Sequence, residues 1–160
     1  MKKGIILILI GLVCPTILLV KSIQFNQDCK GYLKQCSNAS SVELALERLE
    51  LAIRYVERND LTSGYTSILW KTEGDNVGYW YDNLMTCRKE LKKAVNSSQL
   101  EQTNTLLKIR ESLTENGEKG EYIILPNGIV KYPHNLLYAI LMWVSFGLIL
   151  IGGICYIVED

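Results

Sequence analysis

A run of 23 residues without a charged side chain, LLYAILMWVSFGLILIGGICYIV, extends from Leu136 to Val158. As an α-helix it would be about 34 Å long, which exceeds the roughly 30 Å thickness of a bilayer's hydrocarbon core. Tyr138 lies near its start and Tyr156 near its end, where aromatic side chains typically meet the two membrane interfaces. The rest of the 160-residue chain is too short to surround such a helix, so the run predicts a transmembrane helix.

A second apolar run, Ile5–Val20, follows the basic start Met1-Lys2-Lys3. Its 16 residues are near the lower limit of roughly 17 to 25 for a membrane-spanning helix. A secretory signal peptide shares the basic start and the apolar stretch, but no Ala-X-Ala-like cleavage site follows this run. We therefore predict an uncleaved membrane anchor, with a cleaved leader as the alternative.

The charges next to the two runs predict their orientation. The basic start precedes the first run, whereas Glu159 and Asp160 follow the second, and positive charge is typical of the cytoplasmic side. Both termini are then cytoplasmic and residues 22–135 lie outside, with Lys21 as one opposing charge. The short Lys-Lys start favours a bacterial inner or plasma membrane.

These runs divide the chain into an N-terminal transmembrane anchor (1–21), an intervening domain (22–135) and a C-terminal transmembrane helix with a short tail (136–160). The intervening segment is long enough for one small domain. Its acidic and basic residues are nearly equal in number and interspersed, so no basic patch indicates binding to nucleic acid.

The first helix of the intervening domain is predicted to begin at Ser40-Ser41-Val42-Glu43. In such a capping box the serine hydroxyl and the glutamate each bind a free backbone amide. Glu50 and Arg54 are spaced for an i to i+4 ion pair. Apolar residues recur at steps of four and three on one face, at Val42, Leu46, Leu49, Ile53 and Val56.

Two further helices are predicted after an irregular connection. Asp75 or Asn76 caps the second, and Ser98-Gln99-Leu100-Glu101 is a capping box for the third, which ends before Asn116-Gly117. A single kinked helix over residues 76–114 is the alternative. The second helix has apolar positions three and four apart, at Val77, Trp80, Leu84, Cys87, Leu91 and Ala94.

A short β-hairpin is predicted beyond the third helix. Tyr122–Leu125 and Ile129–Tyr132 flank Pro126-Asn127-Gly128, a typical turn sequence. The predicted fold class is therefore mainly α, with two transmembrane helices flanking a small extracytoplasmic domain. That domain is a three-helix, bundle-like unit with one short β-hairpin.

Three of the five cysteines, Cys29, Cys36 and Cys87, lie in the intervening domain, where an extracytoplasmic location permits a disulfide. If the first helix extends from the membrane through residue 36, Cys29 and Cys36 lie about two turns apart and cannot bond to each other. One of them would then face Cys87. Three reduced cysteines in the core are the alternative, and the lack of a Cys-X-X-Cys pair disfavours a catalytic thiol.

Aromatic residues concentrate just before and within the start of the second helix. A polar-rimmed aromatic patch is typical of a surface that binds a peptide or a partner helix. The favoured alternative is that Trp80 faces the core and that Tyr79 and Tyr81 cover nearby surface. Separately, we expect the apolar loop of residues 60–76 to fold back on the helices. The predicted binding surface comprises Tyr65, Trp70, Tyr79, Trp80 and Tyr81.

Residue patterns typical of enzymes are not found in the sequence. His134 is the single histidine, so a histidine-based metal site lacks partners. Gly74 and Gly78 do not form a phosphate-binding loop. The two apolar runs contain no ionisable side chains besides cysteine, which disfavours transport. We expect no cofactor, no metal and no enzymatic activity.

The two apolar runs also contain small residues that let helices approach closely, either within one chain or between chains. These are Gly11 in the first run and Ser145, Gly147, Gly152 and Gly153 in the second.

The sequence thus predicts a non-enzymatic two-pass membrane protein that displays a helical interaction domain, as an accessory or assembly subunit of a membrane complex. Its expected partners are the lipid bilayer and either another membrane protein or a second copy of the chain. One alternative is a sensory input subunit that binds a small ligand or peptide and signals through a partner. A thiol-redox factor is a further alternative.

Overall fold

The computed structural model describes residues 2–118 and 120–158, except for the side chain of Lys2. The orientation prediction uses an acidic C-terminal pair that lies outside this part of the chain. The residues outside it are Met1, Lys119, Glu159 and Asp160.

The described chain is mainly helical, with one two-stranded sheet. Its helices are α1 (Lys2–Phe25), α2 (Gly31–Ser37), α3 (Val42–Arg58), α4 (Val77–Ala94), α5 (Gln99–Leu113) and α6 (Asn135–Val158). A π-helical turn, Asn26–Lys30, joins α1 to α2, and 3-10 turns cover Glu73–Asp75 and Ile129–Lys131. The strands are β1 (Thr114–Gly117) and β2 (Gly120–Ile123). The chain divides into two compact units, Met1–Ile23 with Val130–Asp160 and Gln24–Ile129.

Unit 1, Met1–Ile23 with Val130–Asp160, is built from most of α1 and all of α6. Both helices are long and apolar enough to cross a membrane. Only 11% of the most apolar 18-residue window of each helix is buried. The core helix of a soluble protein would be mostly buried, so the exposed apolar sides of these helices do not fit that alternative.

Within unit 1 the two helices touch through small residues and run antiparallel. A Cβ added to Gly4 would lie 2.7 Å from the backbone oxygen of Gly152, and one added to Gly152 would lie 2.8 Å from that of Gly4. One added to Gly11 would lie 2.9 Å from the backbone oxygen of Ser145. These separations are shorter than real Cβ contacts, so only glycine permits this backbone approach. The sequence left open whether such close contacts form within one chain or between chains. The contact between α1 and α6 forms within one chain.

Unit 2, Gln24–Ile129, is a helical bundle whose core contains most of the predicted apolar positions of its helices. All six predicted core positions of α4 are buried, and Val42, Leu49, Ile53 and Val56 of α3 are buried as well. Leu46 of α3 is half-buried. In α5, Ile109 and Leu113 enter the core, whereas Leu107 stays exposed.

A side chain caps the N-terminus of each of the three predicted helices. Ser41 accepts a hydrogen bond from the Leu44 N–H at 3.2 Å, so α3 is capped one residue later than the predicted box. The Asn76 side chain caps α4. The predicted box of Ser98 and Glu101 is present at α5, and the separate α4 and α5 exclude the single kinked helix.

A fourth helical segment, which the sequence analysis did not count, completes the bundle. Cys29, Leu33 and Cys36 of the π-helical turn and α2 are buried in unit 2. They are spaced by four and three residues, which places them on one helical face. Among the described residues, the predicted three-helix domain is therefore corrected to one of four helices, in which α2 packs against α3 and α5.

Glu50 links α3 to α4 instead of pairing within its own helix. Arg88 Nε donates to a Glu50 carboxylate oxygen at 2.7 Å, and Lys92 Nζ lies 3.2 Å from the same oxygen. Burial raises the pKa of Glu50, but hydrogen bonds from Arg88 and Lys92 outweigh it and lower the pKa overall. The predicted ion pair with Arg54 is wrong, because Arg54 Nε donates to the Glu50 backbone oxygen at 3.4 Å.

A hairpin follows the third predicted helix, but its strands differ from those predicted. Thr114 pairs with Ile123 in the antiparallel ladder of β1 and β2. Tyr122 and Ile123 of the first predicted strand lie in β2, but the second predicted strand, Ile129–Tyr132, is wrong, since most of it folds as a 3-10 turn.

Hydrogen bonds to the helices explain why the later segment does not form a hairpin. The Ile124 N–H donates to the Leu113 oxygen at 2.9 Å, and the Ile124 oxygen accepts from the Trp80 indole at 3.2 Å. The Asn127 N–H donates to the Gly74 oxygen at 3.1 Å. Backbone groups that a strand ladder would need are therefore already bonded.

Substitution of neighbouring glycines in α6 tests the close approach in unit 1. Gly152→Ala adds a Cβ against the Gly4 backbone and should destabilise the helix pair by about 1–3 kcal/mol, the usual cost of overpacking. Gly153→Ala is the matched control, because a Cβ there meets nothing within 4 Å. The measurement is unfolding in mixed SDS micelles, followed by circular dichroism. Equal midpoints for the two variants would contradict the contact.

Candidate functional site

The predicted aromatic surface is divided between the core and the exposed side of unit 2. Trp80 is only 5% exposed and belongs to the core, as the alternative interpretation predicted. Tyr81 is half-buried, and its hydroxyl donates to Glu57 at 2.8 Å. Tyr79 remains 73% exposed on the first turn of α4.

The loop between α3 and α4 is closed at its base. The Thr66 N–H donates to the Asp75 oxygen at 2.9 Å, and the Val77 N–H donates to the Gly64 oxygen at 2.9 Å. Gly64 adopts a φ of 89°, a left-handed conformation that favours glycine at this position. These bonds hold the two ends of the loop together.

Three consecutive apolar residues of this loop point away from the core. Ile68, Leu69 and Trp70 are 49%, 76% and 79% exposed, and we call them the Ile68–Trp70 tip. The expectation that this apolar loop folds back on the helices is therefore wrong for these three residues. Next to the tip, the Lys71 ammonium lies 5.0 Å from the centre of the Tyr65 ring. Trp70 belongs to the binding surface predicted from the sequence, whereas Ile68 and Leu69 do not.

The three cysteines of unit 2 are all buried, and none of the chain's five cysteines forms a disulfide. Burial raises the pKa of Cys29 to about 12. Burial, together with charge repulsion from Cys87, raises the pKa of Cys36 to about 12. Burial raises the pKa of Cys87 to about 11. The thiolate is the reactive form, so these raised pKa values oppose the redox alternative.

Alkylation tests whether these thiols are inert. A pKa of about 12 instead of 9.0 lowers the thiolate fraction at pH 8 by roughly a thousandfold. We expect iodoacetamide to modify Cys29, Cys36 and Cys87 only after unfolding, as measured by mass spectrometry of the peptides. An Asn104→Cys variant supplies an exposed reference thiol on α5. Modification of Cys87 in the folded protein at the rate of the reference thiol would favour the redox alternative.

Two shallow depressions on unit 2 are lined mainly by residues outside the predicted aromatic surface. One lies along α4 and is lined by residues that include Arg88, Lys89, Lys92 and Lys93. Another lies between α2 and α3, where Lys34 and Arg48 contribute to its lining.

Within residues 2–118 and 120–158, no three His, Cys, Asp or Glu side chains come together in a group that could hold a metal ion. His134 lies in unit 1, and its backbone N–H donates to the Lys131 oxygen at 3.0 Å.

No protein-family model, curated protein or solved structure matches this chain.

Proposed function

We propose that the chain is a non-enzymatic, two-pass membrane protein that displays a helical interaction domain and serves as an accessory or assembly subunit of a membrane complex. In this proposal α1 and α6 cross the bilayer as an antiparallel pair. The observation that carries it is the exposure of the apolar sides of both helices, which lipid would cover.

The length of α6 and its close packing against α1 support a membrane crossing. The 24 residues of α6 would extend about 36 Å, enough for a hydrocarbon core of roughly 30 Å. Lipid tails do not drive helices together by the hydrophobic effect, so close backbone packing at glycine is a typical source of helix association in membranes. The contact between Gly4 and Gly152 has this form.

The helix that follows the first apolar run supports an uncleaved anchor. The π-helical turn starts directly after Phe25, and α2 starts directly after that turn. Cys29, Leu33 and Cys36, which lie in these two elements, are buried in the core of unit 2. Signal-peptide cleavage after Val20 would cut α1 within its helical span. Retention of the whole segment is therefore part of the proposal.

We further propose that both termini are cytoplasmic and that residues 22–135 lie outside a bacterial inner or plasma membrane. The basic start of the chain supports this orientation. Unit 2 would then be the part of the protein available to an extracytoplasmic partner.

A binding role is favoured over chemistry by the surface and the core of unit 2. Tyr79 and the Ile68–Trp70 tip are exposed, and large apolar side chains of this kind are common in interaction surfaces. The thiols of the unit are buried and have raised pKa values, which disfavours a thiol-redox factor.

A sensory input subunit is the second candidate function. The observation that favours it is the π-helical turn Asn26–Lys30, because such turns are frequent at functional sites in helices. The turn lies between the apolar part of α1 and the buried residues of α2. A ligand that altered this turn could change the geometry of the junction between α1 and α2. A partner protein would then relay the signal.

Crosslinking in membranes of the native host tests the proposed function. We expect the tagged full-length chain to recover a second membrane protein in near-equimolar amount, quantified by mass spectrometry. An untagged strain treated in the same way is the control for background. Recovery of the chain alone, or only as multiples of itself, would contradict an accessory subunit and leave the sensory function to be tested with ligands.

A further inference from the structure

We infer that the Ile68–Trp70 tip inserts into the interfacial region of the same bilayer that α1 and α6 cross, and so forms a third membrane contact of the chain. This inference rests on the proposed two-pass arrangement. It assigns the exposed apolar tip to the lipid surface and not to a protein partner.

The chain enters unit 2 next to the last turn of α3. Phe25 is buried at the beginning of the unit, and its ring packs edge-to-face on Tyr55 with 5.9 Å between the ring centroids. Tyr55 lies in the last turn of α3, which ends at Arg58. The chain therefore enters unit 2 at the end of the bundle where α3 finishes.

The chain leaves unit 2 next to the first turns of α4. Asn127 is hydrogen-bonded to Gly74, which lies just before the start of α4. Ile124 accepts a hydrogen bond from Trp80 in the first turns of the same helix. The unit ends soon afterwards at Ile129, which is buried. The chain therefore leaves unit 2 at the end where α4 begins.

The loop that carries the tip connects these two helix ends. The antiparallel packing of α3 and α4 is fixed by contacts between Tyr81 and Glu57 and between Arg88 and Glu50. The end of α3 and the start of α4 thus lie at one end of the bundle, together with both chain connections. A domain whose two connections enter a bilayer at one end presents that end to the lipid surface.

The chemistry of the tip fits an interfacial contact. Tryptophan is enriched where hydrocarbon meets the polar headgroups, and the transfer of exposed apolar side chains out of water is favourable. Leu69 and Trp70 are more than three-quarters exposed. Lys71 follows them directly, and its ammonium can pair with lipid phosphates.

Fluorescence quenching of the full-length chain in phosphatidylcholine vesicles tests this inference. A Trp143→Phe parent removes the tryptophan of α6 and leaves Trp70 and the buried Trp80. We expect lipids brominated near the headgroup to quench the parent and aqueous iodide to have little effect. Further substitution of Trp70→Phe should abolish the quenching by brominated lipid, because the remaining Trp80 is shielded by protein.

A tryptophan at the opposite end of unit 2 is the matched control. Leu100 is 72% exposed and lies at the start of α5, next to the end of α4. Leu100→Trp in the Trp70→Phe, Trp143→Phe background should be quenched by iodide and not by brominated lipid. Leu100 is about as exposed as Leu69 and Trp70, but it lies at the end of unit 2 away from the chain connections.

The outcomes separate this inference from the function on which it rests. Iodide quenching of Trp70 in a chain that resists carbonate extraction would overturn the inference and leave the two-pass arrangement intact. Extraction of the chain by carbonate would overturn both. Protection of Trp70 that disappears when the protein is diluted in lipid would show that a second copy covers the tip, which also contradicts the inference.

Discussion

Backbone contact between α1 and α6 is the interaction that organises unit 1. Gly4 and Gly152 bring the two backbones too close for any side chain at these positions, and Gly11 does the same against Ser145. Such contact uses van der Waals packing and leaves the outer apolar sides of both helices uncovered. A bilayer would cover those sides, and this requirement supports the proposed membrane crossing.

Unit 2 differs from unit 1, because its helices are amphipathic and bury their apolar faces against one another in a core. The seams of α3 and α4 are buried, and Cys29, Cys36 and Cys87 pack among them as small apolar residues. Burial that raises the pKa of these thiols also withholds them from thiolate chemistry. The exposed features of this unit include its apolar tip, Tyr79 and its charged helix faces.

Local chemistry explains which parts of this fold the sequence predicts. The box of Ser98 and Glu101 and the regular seam of α4 each depend on residues close in sequence, so their positions are confirmed. The hairpin was misplaced because the Ile124 and Asn127 backbones bond to distant helices, which no local pattern reveals. The exposed tip was missed for a related reason, since apolar composition does not reveal that the closed base of the loop holds these residues away from the core.

Labelling with a membrane-impermeant maleimide tests the proposed crossing most directly. The two sites are Asn104→Cys, exposed on α5, and Val158→Cys, exposed at the end of α6, each compared with the parent chain. In sealed vesicles with the outer face outward, we predict labelling at residue 104 alone, and labelling at residue 158 only after lysis. Labelling of both sites in sealed vesicles would contradict the account, because the end of α6 and unit 2 would then lie on the same side.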